Sequence, residues 1–353
     1  MNAIRTGLCS FGMSGSVFHA PFIAANPNFE LVRIVERTKA LSAEHYPKAI
    51  ITRSVEELLN DDSIELVVVN TPDSTHYEYA REALLAGKHV IVEKPFTQTV
   101  AEGEELVRLA AVQGRMLSVY QSRRWDGDFL TVRQLIQSGR LGRLVEYEST
   151  LSRYRNYIRS GSWKETGEWG GGLVYNLGSH LIDQAIELFG IPEAVYADVT
   201  GQRTGTRVDD YFIIRLLSCR EVPDVSITLK SSYLQALPEP RFVLHGTLGS
   251  YIKHGVDPQE DALKAGVLPN GAEHWGEEPE EQWGKLRISD ANGQLTDSAV
   301  PTLAGNYGLF YQNIYEHLRE GKRLLTDAIN VLSVIRVIEA AYQSARDQAV
   351  VSV

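Results

Sequence analysis

The sequence has few cysteines and no long hydrophobic run. Cys9 and Cys219 are the only cysteines among 353 residues. They cannot form a disulfide framework, so we expect a reducing, cytoplasmic environment. The strongest apolar run, residues 66–69, has the length of a strand and is far shorter than the roughly 18 residues of a membrane-spanning helix. The first residues lead into a strand pattern without the organisation of a signal peptide, so secretion is not expected.

An excess of basic residues is also absent. The chain has 35 Lys and Arg against 45 Asp and Glu, a formal net charge of −10, so it lacks the electrostatic pattern of nucleic-acid binding. Hydrophobic residues make up 43% and charged residues 23%, values that are typical of a folded globular protein. At roughly 150 residues per domain, the length predicts about two domains.

Strand and helix patterns alternate through the first third of the chain. Strand patterns fall at residues 4–9, 29–35, 66–70, 89–92 and 116–120. Repeated strand–helix units require a parallel sheet with helices on both faces. We therefore predict an α/β protein whose N-terminal domain, residues 1–121, is a Rossmann-type, doubly wound parallel sheet.

The remainder of the chain has a different pattern. Helix patterns near residues 129–138 and 179–189 are followed by several strand patterns in succession. Strands without intervening helices favour an antiparallel sheet. We predict an α+β second domain over residues 122–353 with a mostly antiparallel open sheet. The acidic run at 277–281 is expected to be a solvated loop.

A glycine-rich turn follows the first strand pattern at residues 10–15. In the dinucleotide-binding fingerprint, the second glycine lets the backbone approach the pyrophosphate and the third allows the helix to pack closely on the strand. Gly12 and Gly15 fill these positions, and Ser10 replaces the first glycine. We expect Phe11 and Met13 to contact the cofactor as well. The alternative is an ordinary tight turn between a strand and a helix.

Glu36 stands at the end of the second strand pattern, 24 positions after Gly12. An acid in this region accepts hydrogen bonds from the adenosine ribose and repels a 2′-phosphate, so it favours NAD. Arg37 and Lys39 come next, and cations there could accommodate a 2′-phosphate, which keeps NADP possible. The alternative interpretation is a solvated Glu-Arg pair.

Lys94 belongs to a Glu93-Lys94-Pro95 sequence directly after the strand pattern at 89–92. Open α/β sheets bind ligands at the carboxyl ends of their strands. An ammonium group there can hydrogen-bond an alcohol or carbonyl oxygen that undergoes hydride transfer. A lysine in this position is more often merely exposed, so the residue type alone does not make it catalytic.

The sequence resembles the Gfo/Idh/MocA oxidoreductase family over essentially the whole chain. The resemblance rests on the glycine turn and on residues 70–76 (NTPDSTH), 86–96 (AGKHVIVEKPF) and 171–183. Residues 121–126, 245–250 and 305–308 are similar to its scyllo-inositol dehydrogenase-like subgroup. The resemblance implies an N-terminal Rossmann domain that binds a nicotinamide cofactor and a C-terminal α/β domain that binds substrate.

The resemblance also assigns roles to residues of the first domain. Lys94 is implied to contact both the substrate oxygen and the nicotinamide region. Thr71 and Pro72 are implied to lie beside the cofactor, in the loop after the strand pattern at 66–70. Glu93 is implied to lie behind Lys94 in the cofactor site.

Family members carry an aspartate four residues before a histidine that exchanges a proton with the substrate hydroxyl. His180 matches this histidine, and Asn176 stands where the aspartate usually is. Histidine suits acid–base work because its ordinary pKa is close to neutrality. Asn176 can orient an imidazole through a hydrogen bond but adds no negative charge. Either the base is weaker, or another acid such as Asp183 compensates; a buried structural hydrogen bond is the equal alternative for Asp183.

Four other side chains are candidates for contact with the substrate. Arg124 and Trp125 follow the last strand pattern of the first domain and are expected near the domain junction. They contact either the substrate or the domain interface, or they form an interdomain salt bridge with a packed indole. Tyr154 and Tyr307 are candidates for lining the substrate pocket. No His, Cys or acidic residues have the spacing of metal ligands, so no metal is expected.

These observations predict an NAD(P)-dependent oxidoreductase that transfers hydride between nicotinamide and a secondary alcohol or ketone of a sugar, polyol or inositol. His180 would accept the hydroxyl proton and Lys94 would stabilise the alkoxide. The alternative is a non-catalytic sensor or regulatory protein that binds the cofactor with the same fold. Relatives commonly form dimers or tetramers, so a homodimer or homotetramer is expected, with no nucleic-acid or membrane partner.

Overall fold

The computed structural model describes residues 2–159, 161–165, 167, 170–222, 224–269 and 273–353. The chain divides into two units, each built from three separate stretches. The first unit comprises Met1–Ser122, Gln259–Trp275 and Asn306–Leu332. The second comprises Arg123–Pro258, Gly276–Gly305 and Ser333–Val353. The predicted domain boundary after residue 121 stays a prediction.

The first unit contains a parallel sheet of six strands. They are β1 Ile4–Leu8, β2 Phe29–Val35, β3 Ile50–Thr52, β4 Leu66–Val69, β5 His89–Val92 and β6 Leu117–Val119. Their order is β3-β2-β1-β4-β5-β6, and all neighbours are parallel. The four residues of β4 are fully buried, as expected for a strand that is covered on both faces. The predicted doubly wound parallel sheet is confirmed.

Helices lie between the strands of the first unit, and others come from its later stretches of chain. They are α1 Ala20–Ala25, α2 Ser42–His45, α3 Val55–Leu59, α4 His76–Leu85, α5 Val100–Gln113, α8 Gln259–Lys264 and α9 Gly308–Glu320. Local sequence explains the ends of α5. Thr99 and Glu102 form a capping box at its start, and Gly114 ends it with φ +60°, a left-handed conformation that glycine adopts without strain.

The second unit contains a mixed sheet of nine strands. They are β7 Leu144–Thr150, β8 Pro192–Thr200, β9 Tyr211–Cys219, β10 Ser226–Ser232, β11 Phe242–Gly246, β12 Gly249–Lys253, β13 Gly284–Ser289, β14 Leu295–Val300 and β15 Val351–Ser352. Their order is β14-β13-β12-β11-β7-β10-β9-β8-β15, with only β7 and β10 parallel among these neighbours. The predicted mostly antiparallel sheet is confirmed. Helices α6 Gly127–Gln137 and α7 Ser179–Phe189 belong to this unit, and α10 spans Ala328–Asp347.

The acidic run at 277–281 differs from its expected solvated state at one position. Glu278 is buried, and its carboxylate lies 3.1 Å from the Lys253 ammonium. Lys253 is itself fully buried on β12. A buried ammonium needs a charged partner, and the acidic run supplies one.

Candidate functional site

The glycine turn of the first unit has the shape that a nucleotide-binding turn requires. A Cβ on Gly15 would overlap the Ser10 carbonyl oxygen and lie 2.8 Å from Asn70 Nδ2, so only glycine fits there. A Cβ on Gly12 would meet nothing nearer than Ser10 Oγ at 3.5 Å, and Gly12 is exposed. Gly15 therefore permits close packing, while Gly12 leaves open space beside the backbone.

Ser10 replaces a glycine without disrupting this turn. Its hydroxyl accepts a hydrogen bond from the Gly12 N–H at 3.2 Å, and its carbonyl accepts one from Asn70 Nδ2 at 2.9 Å. Phe11 makes an edge-to-face contact with Tyr46, with ring centroids 5.9 Å apart. This contact brings the turn next to the residues that follow α2. Met13 is exposed.

A π-helical turn, Ser14–His19, follows the glycine turn and leads into α1. A second one, Val174–Gly178, leads into α7 in the second unit. Single π-turns are rare and occur frequently at functional sites. One of them begins the helix after the glycine turn, and the other directly precedes the helix that carries His180.

Glu36 at the end of β2 is buried and binds its own loop. Its carboxylate accepts the N–H of Leu41 at 2.8 Å, the N–H of Ser42 at 2.9 Å and the Ser42 hydroxyl at 2.5 Å. Burial would raise the pKa of Glu36, but these hydrogen bonds and the charge of Arg53 outweigh burial and lower it. The side chain of the following Arg37 is exposed.

The loop after β4 is joined to the loop after β5 through His76, the first residue of α4. The His76 ring lies 3.0 Å from the Thr71 carbonyl oxygen and 2.8 Å from the Pro95 carbonyl oxygen. Burial lowers the pKa of His76. Thr71 is half-buried and Pro72 exposed, so both remain accessible beside the carboxyl ends of the strands.

Glu93 and Lys94 follow β5 directly. The Glu93 carboxylate is buried and accepts the Lys94 N–H at 2.9 Å and the Ser14 hydroxyl at 2.5 Å. Burial alone would raise the pKa of Glu93, but His19, Ser14 and Lys94 together hold it at about 2. Glu93 is therefore ionised throughout the neutral range, and the half-buried Lys94 lies next to a carboxylate.

In the second unit, His180 lies at the second position of α7 and is buried. Asn176 lies in the π-turn just before it. The Asn176 side-chain oxygen accepts a hydrogen bond from Lys164 Nζ at 3.0 Å, and its amide group donates to the Tyr233 hydroxyl at 3.2 Å. The position that the family resemblance matches to an aspartate thus carries a neutral amide beside a lysine.

Asp209 holds the start of this helical segment. Its carboxylate accepts the N–H groups of Leu173 and Val174 at 2.7 and 2.8 Å and the Tyr342 hydroxyl at 2.5 Å. A Cβ on Gly172 would overlap the Asp209 carboxylate. Burial raises the pKa of Asp209 despite these bonds.

Asp183 does not stand free beside His180. Arg124 donates two parallel hydrogen bonds to its carboxylate at 2.8 and 2.7 Å, and a third, at 2.9 Å, to Glu187. Both Arg124 and Asp183 are buried. The geometry is that of an ion pair within the second unit. The sequence left open an interdomain salt bridge for Arg124 and a buried structural hydrogen bond for Asp183; a substrate role for either stays a prediction.

The remaining candidates differ in exposure. Trp125 is buried and Tyr154 exposed, both in the second unit. Tyr307 is only 1% exposed and lies in the first unit, where its ring contacts Phe22 and its N–H donates to Gln259. Such low exposure leaves almost none of the Tyr307 side chain accessible for contact with a substrate.

Several of these contributing residues were not singled out from the sequence. Ser14, His19, Asn70, Lys164 and Asp209 are far along the chain from the groups they bind. Ser14 and Asn70 had a local signal, since Ser14 lies in the glycine turn at residues 10–15 and Asn70 ends the strand pattern before the Thr71-Pro72 loop.

Among the described residues, no cluster of three or more His, Cys, Asp or Glu side chains is arranged to hold a metal ion. In the same part of the chain, no helix combines the length and the apolar character needed to cross a membrane.

The fold and the family comparisons define the class of this protein. Residues 4–121 match the NAD-binding Rossmann fold of an oxidoreductase family, and residues 133–353 match its C-terminal alpha/beta domain. The chain belongs to the Gfo/Idh/MocA oxidoreductase family, as the sequence predicts.

Individual relatives match over nearly the full length. The chain is 39% identical over 349 residues to scyllo-inositol 2-dehydrogenase (NADP(+)) IolW of Bacillus subtilis, covering 99% of this chain and 95% of the relative. It is 38% identical to the uncharacterized oxidoreductase YdgJ of Escherichia coli, covering 98% and 97%. Among solved structures, an oxidoreductase of Bacteroides fragilis is 60% identical with a TM-score of 0.92, and both chains are covered completely.

Proposed function

We propose that the protein is a nicotinamide-dependent dehydrogenase that acts on a secondary alcohol, or the matching ketone, of a sugar, polyol or inositol. The observation that carries the proposal is the arrangement at the end of β5. There one ionised carboxylate, Glu93, binds both the glycine turn, through Ser14, and the backbone of Lys94. The likeness to a scyllo-inositol dehydrogenase supports the substrate class.

The residues of the first unit fit a dinucleotide. Gly12 leaves space for a pyrophosphate, which a side chain would fill, and Gly15 allows the turn to pack on Ser10. Ser10, Phe11 and Met13 would line the turn. When bound, the nicotinamide ring supplies the hydride chemistry.

The protein's own side chains would handle the proton and the developing charge. We assign to His180 the removal of the hydroxyl proton, because an imidazole is the side chain best suited to exchange a proton near neutral pH. We assign to Lys94 a hydrogen bond to the substrate oxygen, where its ammonium stabilises negative charge in the transition state. Asn176, held by Lys164 and Tyr233, would orient groups without adding charge.

The cofactor choice rests on Glu36. The sequence favours NAD through a ribose contact of this carboxylate, but donors from its own loop occupy it. Arg37 and Lys39 beside it are exposed and suit a 2′-phosphate, which makes NADP the second candidate. Dissociation constants for NADH and NADPH, measured by fluorescence with wild type and Arg37→Ala, separate the two: Arg37→Ala weakens only NADPH if the 2′-phosphate binds there.

A screen of inositols, sugars and other polyols with NAD and NADP tests the activity. We expect turnover in wild type and a loss of about 10²–10⁴-fold in kcat for His180→Ala and for Lys94→Ala, with cofactor binding retained. Full turnover in either variant would contradict the assigned roles. Cofactor binding without turnover on any polyol would favour the sensor alternative, which the Asn176 substitution keeps open. We also propose that the protein is a cytoplasmic homodimer or homotetramer. Light scattering of the purified protein tests the number of subunits.

A further inference from the structure

A buried chain of polar groups lies behind Lys94 in the first unit. His19, the last residue of the π-turn after the glycine turn, has no exposed surface. Its Nε2 lies 3.1 Å from the Glu93 carboxylate, and its Nδ1 lies 2.7 Å from the hydroxyl of Tyr311 on α9. The ring of Tyr120 packs against His19 with centroids 4.3 Å apart. Three polar side chains are thus linked in the interior of the first unit.

The chemistry of the Glu93 carboxylate and of the Tyr311 hydroxyl constrains the hydrogen bonds of His19. An ionised carboxylate only accepts hydrogen bonds, so Nε2 of His19 must carry a proton. Nδ1 of the same ring is hydrogen-bonded to the Tyr311 hydroxyl. Burial raises the pKa of Tyr311 well above its ordinary value, so its hydroxyl keeps its proton. His19 therefore links Tyr311 to Glu93 and donates to the carboxylate through Nε2.

Glu93 is the point where this chain meets the candidate site. One of its oxygens binds Ser14 and His19, and the other binds the Lys94 N–H. A protonated Glu93 would have one oxygen committed as a donor and could not accept all three hydrogen bonds. The buried, ionised Glu93 carboxylate therefore holds the glycine turn and the Lys94 backbone in fixed positions relative to each other.

We propose that His19, oriented by Tyr311, is a positioning residue for Lys94 that acts by holding the Glu93 carboxylate. This inference rests on the proposed function, because it assigns a purpose to the position of Lys94. The titratable groups that surround Glu93 are Lys94, His19 and Tyr311 together with His76, whose ring lies against the Pro95 carbonyl. Of these, only His19 and Lys94 are charge or hydrogen-bond partners that keep Glu93 ionised.

A pair of substitutions at His19 separates positioning from packing. His19→Leu fills the buried space but removes the donor, whereas His19→Gln places a neutral amide donor near the position of Nε2. We expect kcat to fall by about 10-fold or more in His19→Leu, since small displacements of catalytic groups are costly, and to recover largely in His19→Gln. A pure packing role would give the opposite order, because leucine suits an apolar interior better than glutamine.

The pH profile gives a readout that packing would not change. With His19→Leu, only Ser14 and Lys94 remain to offset burial, so the pKa of Glu93 rises from about 2 toward the assay range. We expect a new loss of kcat at acid pH in His19→Leu that wild type lacks. The additional substitution Glu93→Gln should remove that pH dependence, since the titrating group is gone.

A double-mutant comparison tests whether the effect passes through Lys94. In a Lys94→Ala background, His19→Leu should lower kcat by less than about 2-fold further. An equal loss in both backgrounds would overturn the proposal. If His19→Leu does not fold, Tyr311→Phe makes the same comparison with a smaller loss, because it removes only one hydroxyl. His317→Gln serves as the control, since this half-buried histidine of α9 lies outside the chain of polar groups behind Lys94 and is bonded to the Lys322 carbonyl at 2.8 Å.

The outcomes distinguish this inference from the proposed function. If wild type neither binds NADH or NADPH nor oxidises a polyol, the proposed function fails and the inference fails with it. If wild type turns over and His19→Leu leaves kcat and its pH profile unchanged, the inference alone fails. Loss of kcat, an acid limb that Glu93→Gln removes, and coupling to Lys94 together support it.

Discussion

The ion pair between Arg124 and Asp183 allows a prediction that separates a structural role from contact with the substrate. Asp183→Asn keeps the shape of the side chain but removes its charge and one of the two parallel hydrogen bonds from Arg124. The Arg124 guanidinium stays buried, and its remaining charged partner is Glu187, whose side chain is 33% exposed. The substitution therefore leaves a poorly compensated buried charge.

The expected loss of stability follows from this geometry. Removing one partner of a buried pair costs about 3–5 kcal/mol, and the remaining contact with Glu187 places this case near the lower value. A loss of about 3 kcal/mol in a unit of this size lowers the melting temperature by roughly 6–12 °C. Glu187→Gln is the matched control on the same guanidinium. Because the contact of Glu187 with Arg124 is partly solvated, we expect it to cost less than about 1 kcal/mol.

Thermal and urea unfolding of Asp183→Asn, Glu187→Gln and wild type measure these differences. Replacing both partners, as Arg124→Met with Asp183→Leu, should recover much of the lost stability, because no buried charge then remains unpaired. The KM of Asp183→Asn for the substrate should stay near the wild-type value. An unchanged melting temperature for Asp183→Asn together with a raised KM would refute this reasoning and favour substrate contact.

Three other predictions concern the glycine turn, Glu36 and Asp209. Gly15→Ala should destabilise the fold because a Cβ there overlaps backbone, whereas Gly12→Ala should melt like wild type but lose affinity for NADH and NADPH in fluorescence titrations. Ser42→Ala removes a donor to Glu36 and should lower the free energy of unfolding by about 1–2 kcal/mol at pH 7. The pKa of Glu36 is lowered in the folded protein, so the stability that its ionised carboxylate contributes is present above the ordinary pKa of glutamate and is lost as the pH falls. The urea midpoints of Ser42→Ala and wild type should therefore converge at acid pH. Asp209→Ala should lower stability by about 2 kcal/mol by leaving helix-start N–H groups unpaired, while Asp209→Asn, which keeps an acceptor, should retain most of the stability and of kcat.

Much of the fold could be predicted because local patterns are sufficient for it. The β-branched run of β4 and the capping residues of α5 each act within a few residues of sequence. The β13–β14 hairpin has no comparable local pattern, because β14 is almost entirely exposed. Its alternation is therefore too weak to distinguish it from a loop.

The candidate site likewise combines residues that the sequence indicates with contacts that only the folded chain shows. Gly12 and Gly15 were singled out from the sequence because of their spacing from the strand that precedes them. Lys94 was singled out because it follows a strand directly and because the family resemblance assigns it a role. The occupied state of the Glu36 carboxylate was not foreseen, since it depends on how the following loop folds back to place Ser42. Likewise, Asp183 could not be assigned a partner, because Arg124 lies 59 positions earlier.

By itself, the sequence determined the order of elements, the class of the first sheet and the positions of the motif residues. The tertiary structure alone decided which charges are paired and in what protonation state they are held. The link between His19 and Tyr311 spans 292 positions, and no local pattern specifies it. Its effect on Glu93 depends on burial and on the distance between polar atoms, and both exist only once the chain has folded.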